Sequence, residues 1–130
     1  MGNYLLAVIA IWFAISFLSG IAHNIVLGKI YESIPGLADE KIRKGRQPLP
    51  YLGSLVFALV FAYLLRMAWP AEVPVTSGIV FGLMAGLAIY IPQMLNQFAR
   101  FPYPATMVIG GAVIGILQTT LAGLIGGLIL

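Results

Sequence analysis

Four long apolar runs, separated by short segments rich in charge, proline or aromatic residues, make up most of this chain. They cover about residues 3–27, 51–67, 75–97 and 105–130. A helix needs roughly 20 mostly apolar residues to cross a bilayer, so each run has about the length of one crossing. We predict an all-α membrane protein in which residues 1–130 form a single domain, a compact bundle of four transmembrane helices.

Small residues recur at every fourth position within these runs and therefore fall on single helix faces. Such faces let two membrane helices approach closely. The predicted packing residues are Gly20 in the first run, Gly78, Gly82 and Gly86 in the third, and Gly111, Gly115, Thr119, Gly123 and Gly127 in the fourth. They predict close helix association, either within one bundle or between subunits.

The third run changes character at Pro92. The glycine face lies before this proline, and three amide side chains, Gln93, Asn96 and Gln97, follow it on one side of the helix. Proline removes a backbone donor and clashes with the preceding turn, so we predict a kink at Pro92.

The basic residues concentrate in the segment 28–50, which holds five of the seven Lys and Arg residues. Four crossings place Arg100 on the same side and leave Arg66 alone on the other. Because Lys and Arg in short loops stay on the cytoplasmic side, we predict a cytoplasmic basic loop and both termini outside. Residues 37–44 within this loop are predicted to form a short surface helix.

The net charge of +3 comes mainly from the basic loop 28–50. A basic loop beside a membrane meets anionic lipid headgroups. The lipid bilayer is therefore the predicted partner, and nucleic acid is not.

Polar groups are predicted to converge at one level of the bundle. The first and third runs both end on the cytoplasmic side, which brings His23 and Asn24 to the depth of Gln93, Asn96 and Gln97. An unpaired polar group in a dry environment costs roughly 1–3 kcal/mol, so these side chains need partners. Two interpretations stay open: the groups pin the helices together, or they bind a polar ligand or a lipid headgroup beside Arg100.

Enzymatic chemistry is not predicted. The chain has no cysteine and one histidine, and no carboxylate lies within an apolar run. A nucleophile with its base, a pair of acidic groups or a metal cluster would each require more than this. We therefore predict no catalytic residue, no metal site and no cofactor.

Three motifs resemble a family of bacterial four-helix membrane proteins known as domain of unknown function 1761. The first run closes in Leu27-Gly28-Lys29, the second contains Leu59-Val-Phe-Ala62-Tyr63-Leu64, and the third carries Gly82, Pro92, Leu95 and Asn96 before Arg100. The chain departs from the family pattern at His23-Asn24 and at Gly110-Gly111. The resemblance implies a four-helix fold in the bacterial inner membrane, and it implies no activity.

Two functions fit these observations. The first is a structural or accessory membrane protein that associates through its glycine-rich faces, as a homo-oligomer or as a subunit of a larger membrane complex, and binds a ligand at the polar cluster. The alternative is a small oligomeric channel or carrier, for which Pro92 and Gln93 would provide a break in the third helix.

Overall fold

The structure, a computed structural model, describes residues 2–34 and 44–130, and every regular element within these ranges is helical. The first long helix covers Gly2–Ile21 and continues as a π turn over Ala22–Val26; the short helix Gly28–Glu32 follows, and the second, third and fourth long helices cover Pro48–Ala68, Val75–Arg100 and Ala105–Ile129. Four helices of this described part are long and apolar enough to cross a membrane. The predicted fold class is confirmed.

Two boundaries of the long helices differ from the predicted ones by three residues. The second helix begins at Pro48 rather than at 51, because proline is accepted in the first turn, where its missing N–H has no helical partner to lose. The third helix runs to Arg100 rather than to 97 and stays helical through Pro92, so it is not broken there. The kink at Pro92 stays a prediction. The surface helix predicted over 37–44 lies outside the described residues except for Lys44.

The third and fourth helices form the largest helix–helix contact. The first helix lies against both the second and the fourth, and the second also touches the fourth. Rings add a contact between the second and third helices, where Phe61 and Phe81 have centroids 5.4 Å apart. The fourth helix therefore contacts all three of the other long helices. The third helix makes most of its contacts with the fourth.

Glycines bring the backbones of the third and fourth helices into direct contact. Gly78, Gly82 and Gly86 are buried. A Cβ atom added to Gly82 would meet the carbonyl oxygen of Thr119, and one added to Gly123 would meet that of Gly78. The small-residue faces of these helices therefore pack against each other within one chain.

The apolar core lies in the half of the bundle that carries both chain ends, called here the closed half. Ile11, Leu65 and Val73 are fully buried there, and the cluster around them draws on the first, second and fourth helices. Arg66 closes the same end, since its Nη1 donates to the carbonyl oxygens of Ala71 and Leu130, both at 3.2 Å.

Candidate functional site

A cavity of about 230 Å³ lies in the opposite half of the bundle, called here the pocket half, between the first, third and fourth helices. We call it the three-helix pocket. Its polar lining residues are His23, Tyr31, Tyr90, Gln97, Tyr103 and Gln118. Its other lining residues are Leu27, Met94, Met107, Val108, Gly111, Ile114 and Gly115. Among these described residues there is no Lys, Arg, Asp or Glu.

The third helix lines the pocket with the continuation of its glycine face. Beyond Gly86 the same face carries Tyr90, Met94 and Gln97 at helical spacing. A Cβ at Gly115 would meet the Tyr90 ring, and one at Gly111 would lie 3.0 Å from the Met94 sulfur. Glycines of the fourth helix thus pack against large side chains of the third helix here, whereas in the closed half Gly123 and Gly127 pack against its backbone.

A π turn at the end of the first helix positions His23. The Leu27 N–H donates to the Ala22 carbonyl oxygen at 2.8 Å, a bond that spans five residues instead of four. The His23 Nδ1 lies 2.5 Å from the Tyr31 hydroxyl, and the two rings stack with centroids 5.8 Å apart. Such π turns frequently occur at functional sites, because the extra residue redirects the side chains around it.

Tyr31 lies outside the membrane-spanning helices and is half-buried. Burial, and secondly the nearby Tyr103, raise the pKa of its hydroxyl above the ordinary value of 10.0. The hydroxyl is therefore protonated at neutral pH and available as a donor to His23 Nδ1. A neutral His23 that accepts this bond carries its own proton on Nε2, where it can donate to a further acceptor.

Gln118 is the most deeply buried polar group of the pocket, with 7% of its surface exposed. Its Nε2 donates to the Ser19 hydroxyl at 2.7 Å and so links the fourth helix to the first. Sequence reasoning did not place it in the site, although it is the only strongly polar side chain of the fourth helix.

The predicted polar cluster is divided among three locations. His23 and Gln97 line the three-helix pocket, whereas Gln93, Asn96 and Arg100 are exposed and are not among its lining residues. Asn24 donates instead to the Gly20 carbonyl oxygen at 2.8 Å and lines a groove between the first and second helices, which His23 also lines.

Gly20 also has a different place from the predicted one. A Cβ there would meet no atom within 4 Å among the described residues, because Gly20 lines the groove between the first and second helices. It thus makes no close helix contact in this structure, unlike the predicted packing glycines of the third and fourth helices.

Three tyrosines complete the lining and were missed by sequence reasoning. Tyr31 and Tyr103 come from segments between the long helices, whose path no periodicity predicts. Tyr90 had a usable signal, since it follows Gly86 at the spacing of the glycine face. No group of three His, Cys, Asp or Glu side chains in the ranges 2–34 and 44–130 could hold a metal ion.

Four helices of the described part of the chain are long and apolar enough to cross a membrane, which defines a multi-pass integral membrane protein. The chain belongs to the family described as "Protein of unknown function (DUF1761)", whose model matches residues 6–127. The resemblance found in the sequence is confirmed over nearly the whole chain. No curated protein and no solved structure matches it.

Proposed function

We propose that this protein is a non-enzymatic membrane protein that binds a small uncharged, hydrogen-bonding group in the three-helix pocket. One observation carries the proposal: six polar side chains from three helices and two connecting segments line a single cavity of about 230 Å³. Binding sites for small molecules are typically apolar cavities with a few convergent polar groups, and this pocket has that composition.

The lining supports an uncharged ligand. A charged group transferred into a low-dielectric site needs a paired opposite charge. Within the described part of the chain, no Lys, Arg, Asp or Glu lines the pocket. Amides, hydroxyls and the His23 imidazole offer hydrogen bonds, while Met94 and Met107 offer adaptable apolar contact.

The bound group could belong to a lipid headgroup or to a free small molecule. Tyr31 and Tyr103 place one side of the pocket next to the segments that connect the helices, and we expect these segments to lie at the depth of the membrane interface. A lipid would reach this depth from the adjacent leaflet, and a free molecule would reach it from the adjacent water.

Two neighbouring amides provide the test. Gln97 lines the pocket and Gln93, one helical turn away, is exposed, so Gln97→Leu and Gln93→Leu are matched variants. After purification in mild detergent, intact-mass measurement and organic extraction identify what is bound, and extraction separates a lipid from a water-soluble molecule. Loss of one hydrogen bond, worth about 1 kcal/mol, should weaken binding by Gln97→Leu about fivefold relative to the wild type. Equal retention by both variants, or a wild-type protein that carries no bound molecule, would contradict the proposal.

We also propose that the pocket opens toward the cytoplasmic side of a bacterial inner membrane, with both termini outside. The bias of Lys and Arg toward the segment 28–50 and Arg100 supports this orientation. Cysteine at the exposed Gly45 should react with a membrane-impermeant reagent only after the cells are opened. Reaction in intact cells would reverse the orientation.

Association with other subunits is a further part of the proposal. The glycine faces of the third and fourth helices are occupied within the chain, so association would use exposed faces. Gln93 and Asn96 are exposed on the third helix, and amides on such a face can hydrogen-bond to another helix. The same mass measurement reports subunit number; a homo-oligomer with a continuous lumen would favour the channel or carrier instead.

A further inference from the structure

Two more cavities adjoin the three-helix pocket in the pocket half. The first, called the central cavity, measures about 190 Å³ and is lined by residues that include Ser19, Ser54 and Gln118. The second, called the interhelix groove, measures about 240 Å³ and lies between the first and second helices, where Asn24 and Gln47 are among its lining residues.

The three cavities share walls, and His23 lines both the three-helix pocket and the interhelix groove. Tyr90 and Gln118 line both the three-helix pocket and the central cavity. Ser19 and Ser54 line both the central cavity and the interhelix groove. The hydrogen bond from Gln118 to Ser19 lies where the three cavities meet.

We propose that these cavities form one water-filled compartment that crosses the bundle from the interhelix groove to the three-helix pocket, with the Gln118 amide and the Ser19 hydroxyl as its central hydrogen-bonding groups. The compartment admits water and small uncharged solutes. The idea that a ligand reaches the pocket through this compartment rests on the proposed function, whereas the hydration of the compartment does not.

The hydrogen-bonding capacity of Gln118 requires partners in this compartment. A glutamine amide has two N–H donors and a carbonyl oxygen with two lone pairs, and one donor is used by Ser19. Buried polar groups are almost always paired, and a polar cavity larger than the roughly 30 Å³ share of one water molecule can hold water. The central cavity exceeds this volume several times over, so water satisfies the remaining groups.

The chemistry of the lining decides which solutes fit. Hydroxyls and amides recur in all three cavities, and no Lys, Arg, Asp or Glu of residues 2–34 and 44–130 lines any of them. An ion would lose its hydration there without gaining a counter-charge.

Single cysteines test the hydration directly, because the natural chain contains none. Ser54 lines the compartment, Ala58 lies one turn further along the same helix and is fully buried in the core, and Val56 is 54% exposed on the lipid side. In phosphatidylcholine nanodiscs, Ser54→Cys, Ala58→Cys and Val56→Cys are treated with iodoacetamide, a small neutral reagent. A thiol must ionise to react, which requires water.

We expect Ser54→Cys to react about tenfold faster than the two control variants, because only its thiol meets water that allows ionisation. Ser19→Cys, on the first helix, should behave like Ser54→Cys and replaces it if that variant does not fold. Reaction at the slow rate of Ala58→Cys would overturn the proposal and show a dry interior.

A second substitution tests the role of Gln118. Gln118→Leu in the Ser54→Cys background should slow the reaction, because the amide that holds water is gone. An unchanged rate would remove Gln118 from the proposal. Neither failure affects the comparison of Gln97→Leu with Gln93→Leu, so dryness of the compartment and absence of a ligand remain distinguishable.

Discussion

The closed half and the pocket half use the same pair of helix faces to opposite effect. In the closed half, Gly82 of the third helix lies directly on the Thr119 backbone of the fourth. In the pocket half, Tyr90 of the third helix lies on Gly115 of the fourth. Glycine against backbone closes the interface, whereas a large side chain against glycine leaves room beside it for a cavity.

The first and second helices show the same contrast. In the closed half they enclose Ile11 and Leu65, both fully buried. In the pocket half they are joined by hydroxyls, with the Ser16 and Ser54 Oγ atoms 2.9 Å apart. The interior of the helix bundle is therefore apolar and tightly packed in the closed half and polar and loosely packed in the pocket half.

The largest expected effect comes from adding a side chain in the closed half. Gly82→Leu drives a side chain into the Thr119 carbonyl oxygen, and such overpacking costs about 3 kcal/mol. Gly20→Leu in the pocket half is the matched variant, because a Cβ there meets nothing within 4 Å among the described residues. Thermal unfolding in detergent should show a large loss for Gly82→Leu and little for Gly20→Leu; equal losses would contradict the distinction between the halves.

A smaller effect is expected from the hydrogen bond between Gln118 and Ser19. Interhelical hydrogen bonds in membranes contribute about 0.6 kcal/mol on average. A double-mutant cycle with Gln118→Leu and Ser19→Ala measures this coupling by unfolding in detergent. We expect a coupling below about 2 kcal/mol, well under the effect of Gly82→Leu. A larger value would mean that this hydrogen bond, rather than glycine packing, contributes most to helix association.

The smallest effect concerns Tyr31 at alkaline pH. Burial, and secondly Tyr103, raise the pKa of Tyr31 above 10.0, so the folded state favours the neutral hydroxyl. Its contribution to stability is complete below pH 10.0 and is lost as the pH rises through the folded-state pKa. The free energy of unfolding, measured against pH, should therefore fall less steeply above this pH in Tyr31→Phe than in the wild type. Tyr103→Phe should show a weaker change of the same sign, and an identical slope in all three proteins would contradict the assignment.

Hydropathy and small-residue spacing predict the frame of the molecule. Each apolar run became one long helix, because a membrane helix satisfies its backbone within its own segment. Gly78, Gly82 and Gly86 form a helix contact as expected, because glycine spacing determines a face regardless of the partner.

The candidate site depends on features that spacing does not encode. The π turn at Ala22–Val26 changes the helical period, so of His23 and Asn24, which were placed in one cluster, only His23 lines the three-helix pocket, while both line the interhelix groove. Tyr31 reaches the pocket through the path of a connecting segment. Gln118 was visible as a polar residue, but its partner Ser19 follows only from the packing order of the helices.

Filling the three-helix pocket tests the central claim most directly. A Cβ at Gly111 meets only the flexible end of Met94, so Gly111→Leu fills the pocket without striking backbone, and Ala88→Leu adds a side chain at an exposed position of the third helix. Intact-mass measurement of both variants, checked for equal thermal unfolding, should show the bound molecule retained by the wild type and Ala88→Leu and lost from Gly111→Leu. Retention of the bound molecule by Gly111→Leu would contradict a binding site in the three-helix pocket.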